Sequence, residues 1–520
     1  MKRRIERAGV GALVGLLSAG VALGVGEIVA AFVRPAAAPV IAVGNRFVIL
    51  TPESVKRWAI RTFGTDDKTA LLSGIYVVVA LFAIAIGVLA LRRRLAYGVA
   101  GVLILGAVGS YAALTARAHQ GSDIVPIVLG TIAAVGVMVV LARAAGADAP
   151  PPTHAEPVAN TGVVADRRRF LQGSAAAAAL ATASGFGGRA AQHARFDVSA
   201  ARAAVQLPAA ADAAPALPAG VDLGRSRVPW DTPNGSFYRI DTALVIPQID
   251  PKDWTLRIHG MVDRELTLTY AELTARPLIE RWITLCCVSN EVGGELIGNA
   301  RFLGARLADV LRTAGVHPDA DQLVMSSPDR MTIGAPTAVV MDGRDAMIAV
   351  GMNGVPLPVE HGFPARIVVP GLYGYVSACK WVVDIEATTF AARAAYWVQG
   401  GWAAKTDIKL QSRIDTPRNG GSVAVGQQVA VAGVAWDQHV GVSTVELQVD
   451  GGGWLPARLA SVPSTDTWRQ WVVTWTPPKA GSYTLRVRAT DGAGNLQTSQ
   501  VTDVYPSGAT GLHTITVRAR

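Results

Sequence analysis

The sequence predicts three successive architectures: a multi-helix membrane anchor, an α+β domain and an all-β sandwich. Three observations carry this. Half of the 520 residues are hydrophobic, and the mean hydropathy is +0.32, high for a chain that stays in water. Four long apolar runs fall in the first part of the chain. Beyond them the pattern changes, first to mixed short strands and helices, then to evenly spaced alternating strands. A chain of 520 residues is too long for one core, so several domains are expected.

The anchor is expected over 1–144. Its apolar runs are Ala8 to Val33, Leu71 to Leu91, Leu95 to Thr115 and Ile124 to Ala142. Each is close to the ~20 residues that cross a bilayer as a helix. Lys2, Arg3 and Arg4 precede the first run, Arg92 to Arg94 separate the second and third, and Arg143 follows the fourth. With the N-terminus inside, these cations all lie on the cytoplasmic side. The connection from Arg34 to Lys68 then lies outside although it is basic, and its part from Val40 to Leu50 reads as interfacial. Membrane lipid is therefore an expected partner. The formal charge of +9 comes from such clusters. No basic and aromatic interleaving points to nucleic acid.

Residues 145–200 hold a Pro/Ala linker, Ala145 to Asp166, and then Arg167-Arg168-Arg169-Phe170-Leu171-Gln172 before the Ala-rich run Gly173 to Gly187. This resembles a twin-arginine export signal, with Arg167 and Arg168 as the pair. The alternative is a stop-transfer cluster beside a weak fifth helix. Either way the rest of the chain ends outside the membrane. A second linker, 201–220, carries the Pro/Ala stretch Ala201 to Pro218.

The α+β domain is expected over 221–411. Trp254 to Gly260 alternates and ends in Gly, as a strand and turn should. Tyr270 to Ala275 reads as a short helix begun by Thr269, and Ala305 to Ala314 as another. Arg366 to Gly371 is a buried strand ended by a turn. Over 412–520 the segments Val429–Trp436, Ser443–Val449, Arg469–Trp475 and Tyr483–Thr490 alternate between Gly/Asp turns. That spacing predicts an immunoglobulin-like sandwich.

The chemistry starts from cysteine. There are three, Cys286, Cys287 and Cys379, with no zinc-type spacing. Adjacent cysteines pair with each other poorly, so this is no disulfide scaffold. A thiolate in Thr284-Leu285-Cys286-Cys287-Val288-Ser289-Asn290 suits a soft or high-valent metal. The bland alternative is an ordinary buried cysteine. About seventy residues on, Asn353 to Arg366 forms a loop stiffened by Pro356, Pro358, Gly362 and Pro364. It ends in His361 and Arg366. Arg offers phosphate a bidentate fork, and a protonated or donor His adds to it.

These two stretches together resemble the molybdopterin domain of the sulfite oxidase family. The resemblance runs from about Phe237 to the end. It implies an α+β sulfite-oxidase-like molybdopterin domain followed by an Ig-like dimerisation domain, hence a homodimer. It implies a molybdenum–molybdopterin cofactor, with Cys287 as metal ligand and Cys286 on the opposite face. By resemblance His361 and Arg366 contact the pterin or its phosphate. Gly371 to Trp381 resembles the last cofactor segment, with Lys380 near the phosphate and Cys379 packed beside it. Phe237-Tyr238-Arg239-Ile240-Asp241 resembles the family's Phe-x-Arg segment, although the family has Asn-His where Ile240-Asp241 stand. Phe237, Arg239 and Asp241 are carried over as cofactor contacts, and Arg239 also as the group that meets substrate. Asp329 matches a pterin-contacting Asp or is a turn residue.

Glu291 stands where sulfite oxidases place an Arg, and a carboxylate there would repel sulfite. The expected reaction is oxygen-atom transfer on a small sulfur or nitrogen compound, with a neutral S- or N-oxide foremost. Sulfite oxidase or dehydrogenase activity proper is the alternative. Electrons would pass to a redox partner or a quinone. His119 is the only His among the membrane runs, so no haem is expected there. Two other classes compete: a cysteine hydrolase using Cys287 and His361, and a non-enzymatic membrane-anchored Ig-like binding protein. The second leaves the stretch from His361 to Lys380 unexplained.

Overall fold

The computed structural model describes residues 2–63, 66–146 and 161–520. It divides into two compact units, Met1–Asp197 with Thr242–Ile246, and Val198–Asp241 with Pro247–Arg520.

The first unit is helical: α1 (Lys2–Val33), α2 (Pro39–Leu50), α3 (Glu53–Phe63), α4 (Asp67–Arg92), α5 (Leu95–Leu114), α6 (Val125–Ala144) and α7 (Thr161–Phe196). Among the described residues four stretches are long and apolar enough to cross a membrane: Arg7–Val33, Asp67–Arg92, Leu95–Leu114 and Gly121–Ala144. These are the four expected runs. The connection between the first two is not an open loop but holds α2 and α3. Pro39 starts α2, where its missing N–H costs nothing, and Glu53 sits in the first turn of α3, where the helix dipole favours it.

α1 packs against α4, α6 and α7 at very short range. A Cβ at Gly15 would collide with the carbonyl of Ala83, and one at Gly87 with that of Gly11. Lipid tails give no hydrophobic drive between helices, so close backbone packing of this kind supplies the attraction. α7 joins by the same device: a Cβ at Gly24 would lie 2.8 Å from the Ala181 carbonyl oxygen and against Ser184. A buried polar pair reinforces it, with Gln192 Nε2 donating to Glu27 Oε2 at 2.8 Å. The expected linker from Ala145 to Asp166 is thus shortened, because α7 already begins at Thr161; its part over 147–160 lies outside the described residues. Alanine has the highest helix propensity, so the Ala-rich run continues the helix without interruption.

The second unit opens with α8 (Ser199–Ala204). The strands β1 (Thr255–Gly260), β2 (Leu266–Thr269), β5 (Gln322–Ser326), β6 (Thr332–Pro336) and β10 (Asp384–Thr388) form one sheet, ordered β2-β1-β10-β5-β6. The strands β3 (Leu278–Cys286), β4 (Ile297–Arg306), β7 (Met347–Met352) and β8 (Val355–Pro356) form another, with β9 (Arg366–Val368) on β7. α9 (Tyr270–Thr274) starts at Thr269 with a capping box to Glu272, as its sequence implies. α10 starts at Leu307, two residues later than expected, because β4 runs through Arg306.

The second Pro/Ala stretch is not a free linker. Its first residues lie in α8, and beyond them the chain is bound along β3. Ala211 donates to the Leu278 carbonyl at 2.8 Å, and Glu280 donates to the Asp212 carbonyl at 2.9 Å. Arg281 and Arg306 both pair with Asp212 and with Asp345. β3 is the edge of its sheet, and this segment satisfies peptide groups that an edge leaves unpaired.

Nine strands complete the fold: β11 (Gln411–Thr416), β12 (Ser422–Val423), β13 (Val429–Trp436), β14 (Val442–Val449), β15 (Trp454–Pro456), β16 (Arg458–Leu459), β17 (Arg469–Trp475), β18 (Gly481–Asp491) and β19 (Thr514–Ala519). They form two sheets, β11-β13-β17-β16 and β12-β19-β18-β14-β15, as expected for an Ig-like sandwich. Val431, Trp471, Leu485 and Val517 fill the space between them. This sandwich and the α+β part are not separate bodies. Trp436 and Trp468 share a core with β1, β5 and β10, and Trp468 Nε1 donates to the Trp230 carbonyl at 2.8 Å.

Candidate active site

Four chain segments converge. The first is the end of β3. Cys286 is its last residue, packed in the core, with its thiol donating to the Cys287 carbonyl at 3.5 Å. Cys287 follows outside the strand and is 9% exposed. Its N–H donates to the Leu296 carbonyl at 2.9 Å, and Asn290 Oδ1 accepts from Leu296 N at 2.8 Å, closing the turn. Burial pushes the Cys287 thiol up, while hydrogen bonding from Ser289 and the charge of Lys380 pull it down. Cys286 is raised further by burial and by its neighbour Cys287. Of the two, Cys287 is the better placed to become a thiolate.

The second segment is the stiff loop before β9. Arg366 is buried at 5% exposure. One guanidinium nitrogen donates to the His361 carbonyl at 3.1 Å, whereas Nε has no partner in the protein. Burial pushes its pKa down to about 10. His361 Nε2 lies 3.1 Å from the Asn234 carbonyl. A carbonyl only accepts, so Nε2 carries the proton. Burial and then Arg366 push this imidazole down to about 4, so it is neutral, with Nδ1 as an acceptor. Of the two states expected, protonated or donor, the neutral donor is the one found here, because a second cation beside a buried guanidinium is costly. Gly362, at φ +113°, lets the chain pass: a Cβ there would be 2.9 Å from Arg366 Cβ and 3.3 Å from Lys380 Cα.

The third segment runs beside β9. Ile367 N donates to the Cys379 carbonyl at 2.8 Å and Val382 N to the Ala365 carbonyl at 3.1 Å, which brings Lys380 next to Arg366. Trp381 holds a left-handed φ of 53°, costly for a bulky residue, and its indole donates to the Val359 carbonyl at 2.7 Å. Lys380 Nζ lies 4.6 Å from that ring centroid. Cys379 is buried, within electrostatic reach of Asp329 and Arg366. Asp329 accepts from Ser327 and from Met331 N, so it closes a turn.

The fourth segment precedes β1. Phe237 packs over Gly298 and edge-on to His361, with centroids 5.6 Å apart. Tyr238 stacks on Phe237 at 5.2 Å and is within electrostatic reach of Cys287, Cys286 and Arg366. Asp241 accepts from Lys380 at 2.8 Å and from Arg239 at 3.0 Å. Arg239 is thus paired through Nε while its side chain stays partly exposed. Burial, opposed by Asp241, pushes Lys380 down to about 8.

The residues therefore offer one thiol and a basic pocket. Arg366 and Lys380 stand beside a neutral imidazole; Asp241 pairs with Lys380 and with the more exposed Arg239, and Glu360 and Asp329 lie within electrostatic reach of His361 and Cys379 respectively. The two buried cations, with the unpartnered Nε of Arg366, fit a phosphate group. Among the described residues no group of three His, Cys, Asp or Glu could hold a metal ion. A metal at Cys287 would need further ligands from the cofactor itself, as a pterin dithiolene provides. Tyr238 and Asn234 went unassigned in the sequence. Tyr238 at least lies between two expected contacts, whereas the Asn234 carbonyl leaves no side-chain signal.

Fold and pocket together define a molybdopterin-binding oxidoreductase domain. Residues 243–397 match the family described as "Oxidoreductase molybdopterin binding domain", and 411–487 match "Bacterial Ig domain". The chain is 30% identical to Gallus gallus sulfite oxidase over 325 residues, covering 53% of this chain and 69% of that protein. It is 31% identical to Homo sapiens mitochondrial sulfite oxidase over 323 residues, 53% of this chain and 58% of that one. An uncharacterized oxidoreductase, YuiH, of Bacillus subtilis is 30% identical over 172 residues, 33% of this chain and 83% of that one. The chain spans 56% of the Drosophila melanogaster enzyme and so little more than half of several relatives. Among solved structures, the sulfane dehydrogenase SoxCD of Paracoccus pantotrophus aligns at a TM-score of 0.47 and 24% identity, over 55% of this chain and 80% of that one. The chain belongs to the sulfite oxidase family of molybdopterin-dependent oxidoreductases.

Proposed function

We propose that this enzyme is a membrane-anchored oxidoreductase that transfers an oxygen atom to or from a small sulfur or nitrogen compound on the outer side of the cytoplasmic membrane. One observation carries the reading: the buried Cys287 lies within electrostatic reach of Lys380, beside the buried Arg366 with its unpartnered Nε. Cys287 would ligate the metal, Arg366 and Lys380 would hold the phosphate, and His361 Nδ1 would accept from the pterin. Phe237, Asp241, Asp329 and Cys379 line or brace the same pocket. When bound, the molybdenum cofactor supplies the two-electron redox couple and the exchangeable oxygen.

The protein excludes water, orients the cofactor and selects the substrate. Glu291 is exposed at the turn after Cys287 and disfavours an anion such as sulfite. Tyr238, kept neutral by burial, offers a hydroxyl donor to an oxide oxygen. A neutral S- or N-oxide is therefore the favoured substrate class. The Arg167-Arg168 pair at the start of α7 serves export, and a quinone or separate redox protein exchanges electrons without a haem of this chain. The Ig-like domain pairs two copies.

The test is elemental analysis of detergent-purified protein beside Cys287→Ser, followed by turnover with dimethyl sulfoxide, trimethylamine N-oxide and sulfite. Near-stoichiometric molybdenum lost in the variant is expected, with turnover of an oxide. Protein without molybdenum, from a host that makes the cofactor, would overturn the reading.

A further inference from the structure

The loop that follows Cys287 is held from the other domain. Arg413, on β11, donates to the Gly294 carbonyl at 2.6 Å through one nitrogen and to Asp415 at 2.6 Å through Nε. It is buried, at 4% exposure. The His513 ring lies against Gly293, which sits at φ +80° where a side chain would strike that ring. His513 Nδ1 accepts from Ile414 N at 3.0 Å, which fixes the ring relative to Arg413. The strand before Cys287 is held from the same side. Thr284 N donates to the Asp466 carbonyl at 2.9 Å, Thr284 Oγ1 accepts from Trp468 N at 2.8 Å, and Gln438 Nε2 donates to the Thr284 carbonyl at 3.3 Å. Residues on either side of the cysteine are thus gripped by the sandwich.

We propose that the Ig-like domain is a working part of the active site, and that Arg413 and His513 are positioning residues that orient Cys287 through the loop Val288–Gly294. A single thiolate ligand has one torsional freedom that its own side chain does not restrict. The loop that follows it sets the direction of its Cα–Cβ bond. Arg413 alone spans both Asp415 and Gly294 with a planar fork. The importance of the orientation rests on the assignment of Cys287 as metal ligand; the grip itself does not.

The test uses the full chain in detergent, wild type beside Arg413→Lys and His513→Gln. Arg413→Lys keeps the charge and the partner Asp415, but one ammonium cannot reach both acceptors. In protein made without cofactor, amide exchange across 288–296 is expected to rise at least tenfold in Arg413→Lys, with the rest of the sandwich unchanged. In loaded protein, molybdenum content is expected to stay within twofold. The thiolate-to-metal absorption and the Mo(V) resonance should shift, and kcat should fall about tenfold at nearly constant KM. His513→Gln should give the same pattern, weaker, and it answers the question if Arg413→Lys does not fold. Unchanged exchange and unchanged spectra in a folded variant would overturn the proposal. If the wild type holds no molybdenum, the cofactor reading fails by itself, and the exchange measurement still decides whether the grip exists.

Discussion

Arg366→Met should separate cofactor binding from folding in opposite directions. Arg366 is a buried cation whose Nε has no partner. Its pKa falls from 12.5 to about 10, which at about 1.4 kcal/mol per pH unit corresponds to about 3 kcal/mol of unfavourable burial in the cofactor-free protein. Methionine removes that cost and fills similar space. It also loses the bond to the His361 carbonyl, worth about 1.5 to 3 kcal/mol for a charged donor. The cofactor-free variant should be as stable as the wild type, or more so by about 1 kcal/mol. Cofactor binding loses at least two charge-assisted hydrogen bonds, about 3 to 6 kcal/mol, or a hundredfold or more in affinity. The assay is thermal unfolding of both proteins made in a cofactor-deficient host, with molybdenum analysis of both from a competent one. A variant that melts far below the wild type without cofactor, or that keeps full molybdenum, would refute the reasoning.

Other outcomes follow from the same geometry. Cys286→Ser should keep molybdenum yet lose about 1 to 3 kcal/mol in a denaturant titration, because it buries a hydroxyl in the core. Cys287→Ser should reverse that pattern. Lys380 titrates near pH 8 in the folded protein against 10.5 when exposed. Between those values the unfolded chain binds more protons, so cofactor-free stability should rise with pH, while cofactor retention should fall as the Lys380 charge disappears. Melting curves and molybdenum retained after dialysis at pH 7 and 9 check both signs. Gly24→Leu should detach α7 from α1, since its side chain would occupy the space of Ala181 and Ser184. Protease sensitivity of the detergent-purified protein reads this out.

The membrane helices were legible because length and apolarity suffice to define them. The sandwich was legible because turns recur at even spacing and Gly481–Asp491 alternates in burial, whereas Val429–Trp436 and Arg469–Trp475 are buried along most of their length. Cys287, Arg366 and Lys380 were legible as side-chain types in stiff, recognisable stretches. What escaped depends on partners distant in sequence. The neutral state of His361 comes from burial and from Arg366 packed nearby, against the Asn234 carbonyl, which favours the protonated ring. The binding of the second Pro/Ala stretch depends on β3 being an edge, which composition does not reveal. Arg413 reads locally as one charged residue in a strand, and its reach to Gly294 spans 119 residues.

Thr284 limits how this enzyme can be rearranged by recombination. Its N–H, carbonyl and hydroxyl are all satisfied by Asp466, Gln438 and Trp468. A catalytic half cut away near residue 411 would expose these groups, and Trp230 beside them, at the root of the strand that carries the cysteine. Gene fusions that exchange the C-terminal module for an unrelated sandwich should therefore fail as catalysts even where both halves fold. A chimera that works must carry its own partner for Thr284.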